Sequence, residues 1–518
     1  MVKSSIETIS ETVDNEKDTA VELDHALSVA GTGWYNIRYS LALALFLIST
    51  IIDTVGYSYI LPAARCDLQM SDSQRGLIGS MPYIGIVVTS FPWGYLTDTR
   101  GRKVMIVSSS LAAGTFGVLA AFMPEINSFT VFKLLSALCI ACPASVPYSF
   151  IGEIIPQKYR DITMSITNAM QICGSAIVPL LAWAILPLDF RVNFGAYDFR
   201  SWRLLTILYS SSFIISALLM SFGPESPKFL LAKGKHEESL NTLGKIYAGN
   251  KRKPASDYPV KSLKLSEENQ KIKESFLRSL VQQSLPLIKP PYLKWLLLNG
   301  VLFFGIFATL NGLYMWVPDI LNRVLTGNQT GLTACDVIAQ RLNQTVEENG
   351  ECDDTINTQT FVINTVANFC CAIIALVFSS TVKFLGKKTL LIFVYMVIGI
   401  FCILINFMTQ NIVFAILLSA IPLTGLAVGP VNSYAVEIFP TNLRGMAISL
   451  TMMIGRTGSI VGTNVAGILI NTFCTLTFYI FGGALILCGL LSFLLPRAKI
   501  EPKSKEVEIH KTKAKPEI

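Results

Sequence analysis

Glu153-Ile-Ile-Pro156-Gln-Lys-Tyr-Arg160 recurs 284 positions later as Glu437-Ile-Phe-Pro440-Thr-Asn-Leu-Arg444. Gly174-Ser175 returns as Gly458-Ser459 at the same offset, and Gly101-Arg102-Lys103 returns as Gly386-Lys387-Lys388 at 285. Three anchors whose spacings agree to within one residue mark a tandem duplication, and each lies in or beside a long apolar run. A helix crossing a bilayer needs about 20 apolar residues. Runs of that kind occupy 39–62, 76–97, 104–123, 129–155, 162–186 and 201–222, then 292–318, 359–382, 389–408, 411–438, 445–471 and 473–495. The fold class that follows is an all-α membrane protein with twelve transmembrane helices, arranged as two pseudo-symmetric six-helix lobes.

The predicted organisation is a polar segment 1–38, a first lobe 39–222, a central loop 223–291, a second lobe 292–495 containing a long loop 322–358, and a tail 496–518. Composition supports it. The chain has 518 residues, 52% hydrophobic and 15% charged, where a soluble domain carries about 25% charged. A soluble enzyme and a disordered scaffold are excluded. An outer-membrane barrel is excluded as well, because its strands alternate instead of running apolar for twenty residues.

The net charge of +7 does not point to nucleic acid. Lys and Arg flank the apolar runs, where retention on the cytoplasmic side explains them. With a cytoplasmic amino terminus, the inner segments hold 22 Lys and Arg and the outer ones 6. Both termini are therefore expected in the cytoplasm, in a multi-pass protein of the plasma or vesicle membrane, and no cleavable signal is expected. The acidic loop 322–358 then lies outside. It holds both N-x-[ST] sequons of the chain, at Asn328 and Asn343, as expected glycosylation sites. A Cys335–Cys352 disulfide is the favoured pairing on that oxidising side, with Cys66, also outside, leaving the choice open. Eight other cysteines, Cys474 among them, read as small apolar residues.

Ionisable residues inside apolar runs cost at least ~2.5–3.5 kcal/mol, so each needs a partner, a wet cavity or a task. Asp53 lies fourteen residues into the first run and Lys133 enters the fourth near its outer end, so the two are expected to pair. Arg456 lies near the middle of the eleventh run, between Gly455 and Gly458. Either these charges neutralise one another and glue helices, or Asp53 is a protonatable coupling site and Arg456 a counter-charge for an anionic solute. Glu153 and Glu437 end their runs beside Arg160 and Arg444, as a cytoplasmic gate or structural ion-pair network. The histidines, His25, His236 and His510, lie outside the runs, and no catalytic constellation, metal-ligand set or phosphate-binding loop occurs. Neither catalysis nor a cofactor is expected.

Gly94-Tyr-Leu-Thr-Asp98-Thr-Arg100-Gly101-Arg102-Lys103 resembles the G-x-L-x-D-x-x-G-R-[RK] signature of the major facilitator superfamily, with Thr99 in a slot often basic there. The resemblance implies that Gly94 lets helices pack closely, that Asp98 faces a neighbouring helix N-terminus, and that Arg100, Arg102 and Lys103 hold the loop at an anionic lipid surface. The second copy has Lys383 where Asp98 would stand. Pro224-Glu225-Ser226-Pro227-Lys228 resembles a motif shared by sugar porters, organic ion transporters and the synaptic vesicle glycoprotein 2-like branch. Ile60–Asp67, Met70–Gly76 and Trp316–Asp319 resemble that last branch. In this superfamily the first, fourth, seventh and tenth helices line a cavity, which makes Tyr57, Tyr148, Tyr314, Trp316 and Tyr434 candidate lining residues. Trp316 alternatively sits at the outer interface.

The implied function is secondary active transport of a small organic solute by alternating access, organic ions favoured, with a proton or other ion as coupling partner. A non-transporting vesicle-membrane binding or regulatory protein and a sugar porter are the alternatives. Asn311, Asn432 and Ser433 are a thin set for a sugar site.

Overall fold

The computed structural model describes residues 21–195, 197–264, 284–326, 332–347 and 355–496. The first lobe comprises α1 (Trp34–Ala63), α2 (Asp72–Arg100), α3 (Arg102–Ala120), α4 (Ile126–Ile154), α5 (Gln157–Ile185) and α6 (Ser201–Ser221). The second comprises α7 (Leu293–Thr326), α8 (Thr358–Leu385), α9 (Lys387–Phe407), α10 (Asn411–Ile438), α11 (Thr441–Thr472) and α12 (Cys474–Leu494). Among the described residues, eleven helices are long and apolar enough to cross a membrane. The exception is α2, whose apolar stretch is diluted by Pro82, Pro92 and several glycines and carries charges at both ends.

A span in hydrocarbon must satisfy its backbone within the helix, and ten of the twelve do so with continuous α-helical winding apart from short 3₁₀ turns at the ends of α9 and α12. Two are interrupted midway. In α7 the winding loosens to a π-helical turn at Ala308–Leu313 and tightens at Tyr314–Trp316. In α10 a 3₁₀ stretch, Ile421–Ala427, follows from Pro422 and Gly425. Such breaks persist only where neighbouring protein or a polar cavity satisfies the freed backbone groups.

Within the lobes, α4 packs against α2 and α3, α7 against α11, and α9 against α12; between the lobes, α2 packs on α11 and α5 on α8. The polar segments are not loose. Helix Leu23–Ala30 rests on helix His236–Lys251, Val21–Glu22 pairs in parallel with Leu263–Lys264, and the Tyr258 hydroxyl donates to the Ala26 carbonyl at 2.7 Å. Together they form a small layer against the ends of α1 and α5 that lie nearest Asp98, here termed the motif face.

At the opposite face, the amphipathic helix Ala334–Glu347 caps the second lobe with Ala334, Val337 and Ile338 turned inward. It is fastened by a disulfide between Cys335 and Cys474, at the start of α12, with Cα atoms 5.5 Å apart. This corrects the expected Cys335–Cys352 pairing and the reading of Cys474 as a small apolar residue. The capping helix brings Cys335 onto the end of α12, a proximity that spacing along the chain does not encode. Cys66 is disulfide-bonded as well. Asn328 and Cys352 lie outside the described residues, and Asn343 lies on the capping helix. Digestion without reductant, followed by mass spectrometry, should recover Cys335 joined to Cys474; a Cys335–Cys352 peptide would refute the assignment.

Candidate functional site

The two lobes are clamped at one face and parted at the other. On the face opposite the motif, Arg75 of α2 is almost fully buried and its guanidinium bridges Asp72 and Asp319 of α7, each at 2.9 Å. Arg323 grips Asp319 at 2.9 Å and donates to Asn471 of α11 at 2.6 Å, while Asn471 also reaches Asp72. The Arg75 guanidinium lies 4.8 Å over the Trp316 ring, whose indole N–H donates to the Thr463 carbonyl at 3.0 Å. Glycine makes this seal possible: a Cβ on Gly76 would lie 3.3 Å from the Thr463 carbonyl oxygen, and one on Gly79 would collide with Met315.

Toward the motif face, α2 turns exposed beyond Ile86 and α5 is exposed along its first turns. Gly94, expected at a close helix contact, has nothing within 4 Å of a Cβ position; Gly429 and Gly445 are equally open. The close packing assigned to Gly94 is therefore absent in this conformation, because the motif ends of the lobes have separated.

Between the lobes lies a small recess lined by Thr54, Ser58, Tyr83, Asn311 and Tyr314 together with the apolar Val55, Leu310 and Met315. Tyr314 exchanges a 2.9 Å hydrogen bond with the Asn368 amide, and Asn311 donates to the Ser459 hydroxyl at 3.0 Å. On the other lobe the Tyr148 hydroxyl donates to Gln171 at 2.7 Å. Arg456 sits about 22 Å along α11 from its motif end at 1.5 Å per residue. It is half-buried and has no hydrogen-bond or ion-pair partner among the described residues. Tyr83, on the facing α2, lies within electrostatic range of it and of Asp53. Gly455 and Gly458 serve packing: a Cβ at either would strike Phe307 or the Phe304 carbonyl of α7.

Asp53 and Lys133 lie 3.5 Å apart with about 1% of either side chain exposed, and the ammonium stands 4.7 Å over the Tyr57 ring. The second Asp53 oxygen and the Tyr57 hydroxyl have no hydrogen-bond partner among the described residues. Tyr57, Trp316 and Tyr434 do not line the cleft, contrary to expectation. All three are buried, with 1% or less exposed, because large rings fill the lobe cores and the seal.

At the motif face Glu225 is the organising anion. Its carboxylate accepts from the backbone N–H of Arg102 at 3.1 Å and of Lys103 at 3.0 Å, the free donors at the start of α3, and from Ser226 N–H at 2.8 Å. Gly101 permits this: its φ is +112°, and a Cβ there would lie 2.4 Å from the Glu225 oxygen. Asp98, expected at a helix N-terminus, is exposed at the end of α2 and pairs with Arg102 at 3.1 Å. Arg102 also holds Glu153 at 3.0 Å, and Arg100 is exposed. Arg160 pairs with Asp24 rather than with Glu153, and Glu437 pairs with Lys387 rather than with Arg444, whose Nε has no partner. In both lobes the glutamate ending the fourth helix takes the basic residue that follows the motif glycine, because the helix pair brings those ends together.

Sequence reasoning missed Tyr83, Gln171, Asn368 and the Asp72–Arg75–Asp319–Arg323 seal. The charges at 72, 75, 319 and 323 were legible at the ends of apolar runs, but nothing in the sequence joins the two lobes.

A family model described as Major Facilitator Superfamily matches residues 41–335 and 354–516. Human synaptic vesicle glycoprotein 2B is 23% identical over 62% of this chain and 50% of its own length; mouse synaptic vesicle glycoprotein 2C is 29% identical over 50% and 36%. The chain thus spans half or less of the length of these curated relatives. The inward-open xylose transporter XylE from E. coli superposes with a TM-score of 0.64 at 15% identity, over 90% of this chain and 98% of that one, and a D-xylose–proton symporter with 0.63 at 14%, over 90% and 99%.

Breaking a buried ion pair from one side leaves an uncompensated charge, a loss of about 3–5 kcal/mol. Lys133→Met alone should therefore lower thermal stability more than Lys133→Met combined with Asp53→Asn. Additive losses in that cycle would show the pair to be uncoupled.

Proposed function

This chain belongs to the major facilitator superfamily, and we propose that it is a secondary carrier of a small organic ion, anions preferred, working by alternating access. Arg456 carries the reading. A guanidinium in mid-helix, half-buried, within electrostatic range of the cleft residue Tyr83 and without a hydrogen-bond or ion-pair partner among the described residues, is stabilised when a carboxylate or similar anion occupies the cleft. Tyr83, Asn311 and Tyr314 offer hydrogen bonds around such a solute.

With both termini cytoplasmic, the motif face is the inner one and the conformation is open inward. The Arg75–Asp319 seal closes the outside. Asp53 is the coupling carboxylate: protonating its free oxygen cancels the charge facing Lys133, whose ammonium keeps the Tyr57 ring as a neighbour. Residues 328 and 343 then face the lumen or the extracellular side, where glycans attach.

A sugar porter is the second reading. The amides of Asn168 and Gln171 beside Tyr148, with Asn311 and Asn368 across the space, supply more polar groups than the sequence promised, and the xylose transporters share the fold.

Uptake by proteoliposomes distinguishes these readings. Labelled organic anions should accumulate, and Arg456→Gln should raise KM at least ~10-fold, the loss of one charge-assisted hydrogen bond. Unchanged anion uptake in that variant would refute the anion site, preferred uptake of pentoses would favour the sugar reading, and no flux of any solute would leave a binding protein. Asp53→Asn should abolish the pH dependence of uptake; a retained pH dependence would remove Asp53 from coupling.

A further inference from the structure

Between α5 and α6, on the face opposite the motif, the chain pairs with itself as a short antiparallel hairpin, Val192 with Phe199 and Asn193 with Asp198. Directly paired residues share a face of such a hairpin, and successive ones alternate. One face is polar: Asn193 donates to Asp198 at 2.8 Å, and Arg191 pairs with Asp198 at 3.8 Å. The other is aromatic. Phe199 stacks on Phe190 with ring centroids 6.2 Å apart, Phe194 stacks on Tyr197 at 5.8 Å, and Phe199 reaches Phe122, just past the end of α3, at 6.0 Å. Despite these contacts Leu188, Val192 and Phe194 remain 48%, 49% and 59% exposed.

The hairpin is held firmly. Arg203, buried near the start of α6, donates to the Ala121 and Met123 carbonyls at 2.8 and 2.7 Å and to the Asp198 carbonyl at 3.2 Å. Its guanidinium also lies 4.4 Å over the Tyr197 ring. These bonds tie the hairpin level with the ends of two spans, α3 and α6. Along the outer half of α5, Ile177, Leu180 and Trp183 are exposed at three-residue steps, and exposed Leu188 continues that apolar strip past the helix end.

We propose that this hairpin is an interfacial anchor, its aromatic face resting in the headgroup layer and upper acyl chains of the leaflet opposite the motif. Three observations make lipid the occupant. The exposed patch continues a strip of α5 that already faces acyl chains, so the two form one surface. The Arg203 bonds hold it at the depth where spans end, which is where amphipathic aromatic groups are most stable. One face is polar and the other apolar, the division an element lying in the interface requires. In water the same arrangement would leave Phe194 and Val192 hydrating large apolar area on a rigid support, and contiguous patches of that kind mark contact surfaces.

The inference needs the spans and not the carriage of any solute, so its outcome is independent of the carrier reading. Nitroxide amino acids placed singly at positions 177, 192, 193 and 194 of the full-length protein, in phosphatidylcholine bilayers, report collisions with oxygen, which concentrates in lipid, and with a water-soluble nickel chelate. The ratio of oxygen to chelate collisions at 192 and 194 should shift toward that at 177, the lipid-facing reference on α5, while 193 stays with water. Chelate reaching 194 as freely as 193 would overturn the anchor. Shielding of 194 from both probes would overturn it equally, since a second copy or another protein would then cover the patch. As an independent reading, Phe194→Trp should add tryptophan emission that is quenched by lipids brominated high on their acyl chains. Added emission quenched by aqueous iodide and not by those lipids would refute the assignment.

Discussion

A charge at membrane depth must be paired, hydrogen-bonded or wetted, since insertion of an isolated one costs at least ~2.5–3.5 kcal/mol. That constraint sorts the polar residues of this protein. Lys133 and Asp53 meet it inside one lobe, each with about 1% of its side chain exposed and with an aromatic face beneath the ammonium. Arg75, Asp72, Asp319 and Arg323 meet it across two lobes, which makes their pairing contingent on one relative position of the halves. Arg456 has no hydrogen-bond or ion-pair partner among the described residues, with Tyr83 of the facing helix within electrostatic range. One rule thus acts at three degrees of enclosure.

The duplication adds a second logic. Arg102–Glu153 and Lys387–Glu437 are the same contact in the two repeats, holding the motif-face ends of corresponding helices. Divergence is concentrated where the lobes do different work. Glu225 caps α3 in the first lobe and has no acidic counterpart described against α9. Ser175 and Ser459 are repeat-mates that both bind asparagine side chains, yet one reaches across a seam to Asn368 and the other stays within its lobe at Asn311. A pseudo-symmetric scaffold has become an asymmetric machine through a handful of partner changes.

Glycine and proline supply the mechanical detail. Close approach at Gly76, Gly79, Gly458 and Gly462 lets α2 and α7 lie against α11. The break in α7 carries Asn311 and Tyr314, two of the polar residues that line the cleft. The half opposite the motif is consequently compact and the motif half splayed, with the polar walls of the cleft between.

Composition, apolar run length and the 284-residue repeat determined the number of helices, their grouping into two lobes and the identity of the charges that needed explaining. Each of these is a local property, fixed by what about twenty consecutive residues can do in hydrocarbon. Pairing was legible only where two charges share a depth within one lobe, as Asp53 and Lys133 do. The tertiary structure alone decided that Cys335 meets Cys474, that Glu225 and not Asp98 caps a helix, and that Trp316 belongs to the seal. It also decided that Tyr57 and Tyr434 are core rings while Tyr83 faces the cleft. Those outcomes depend on helix rotation and on contacts between residues hundreds of positions apart, and a hydrophobic period constrains neither when the whole circumference of a helix is apolar.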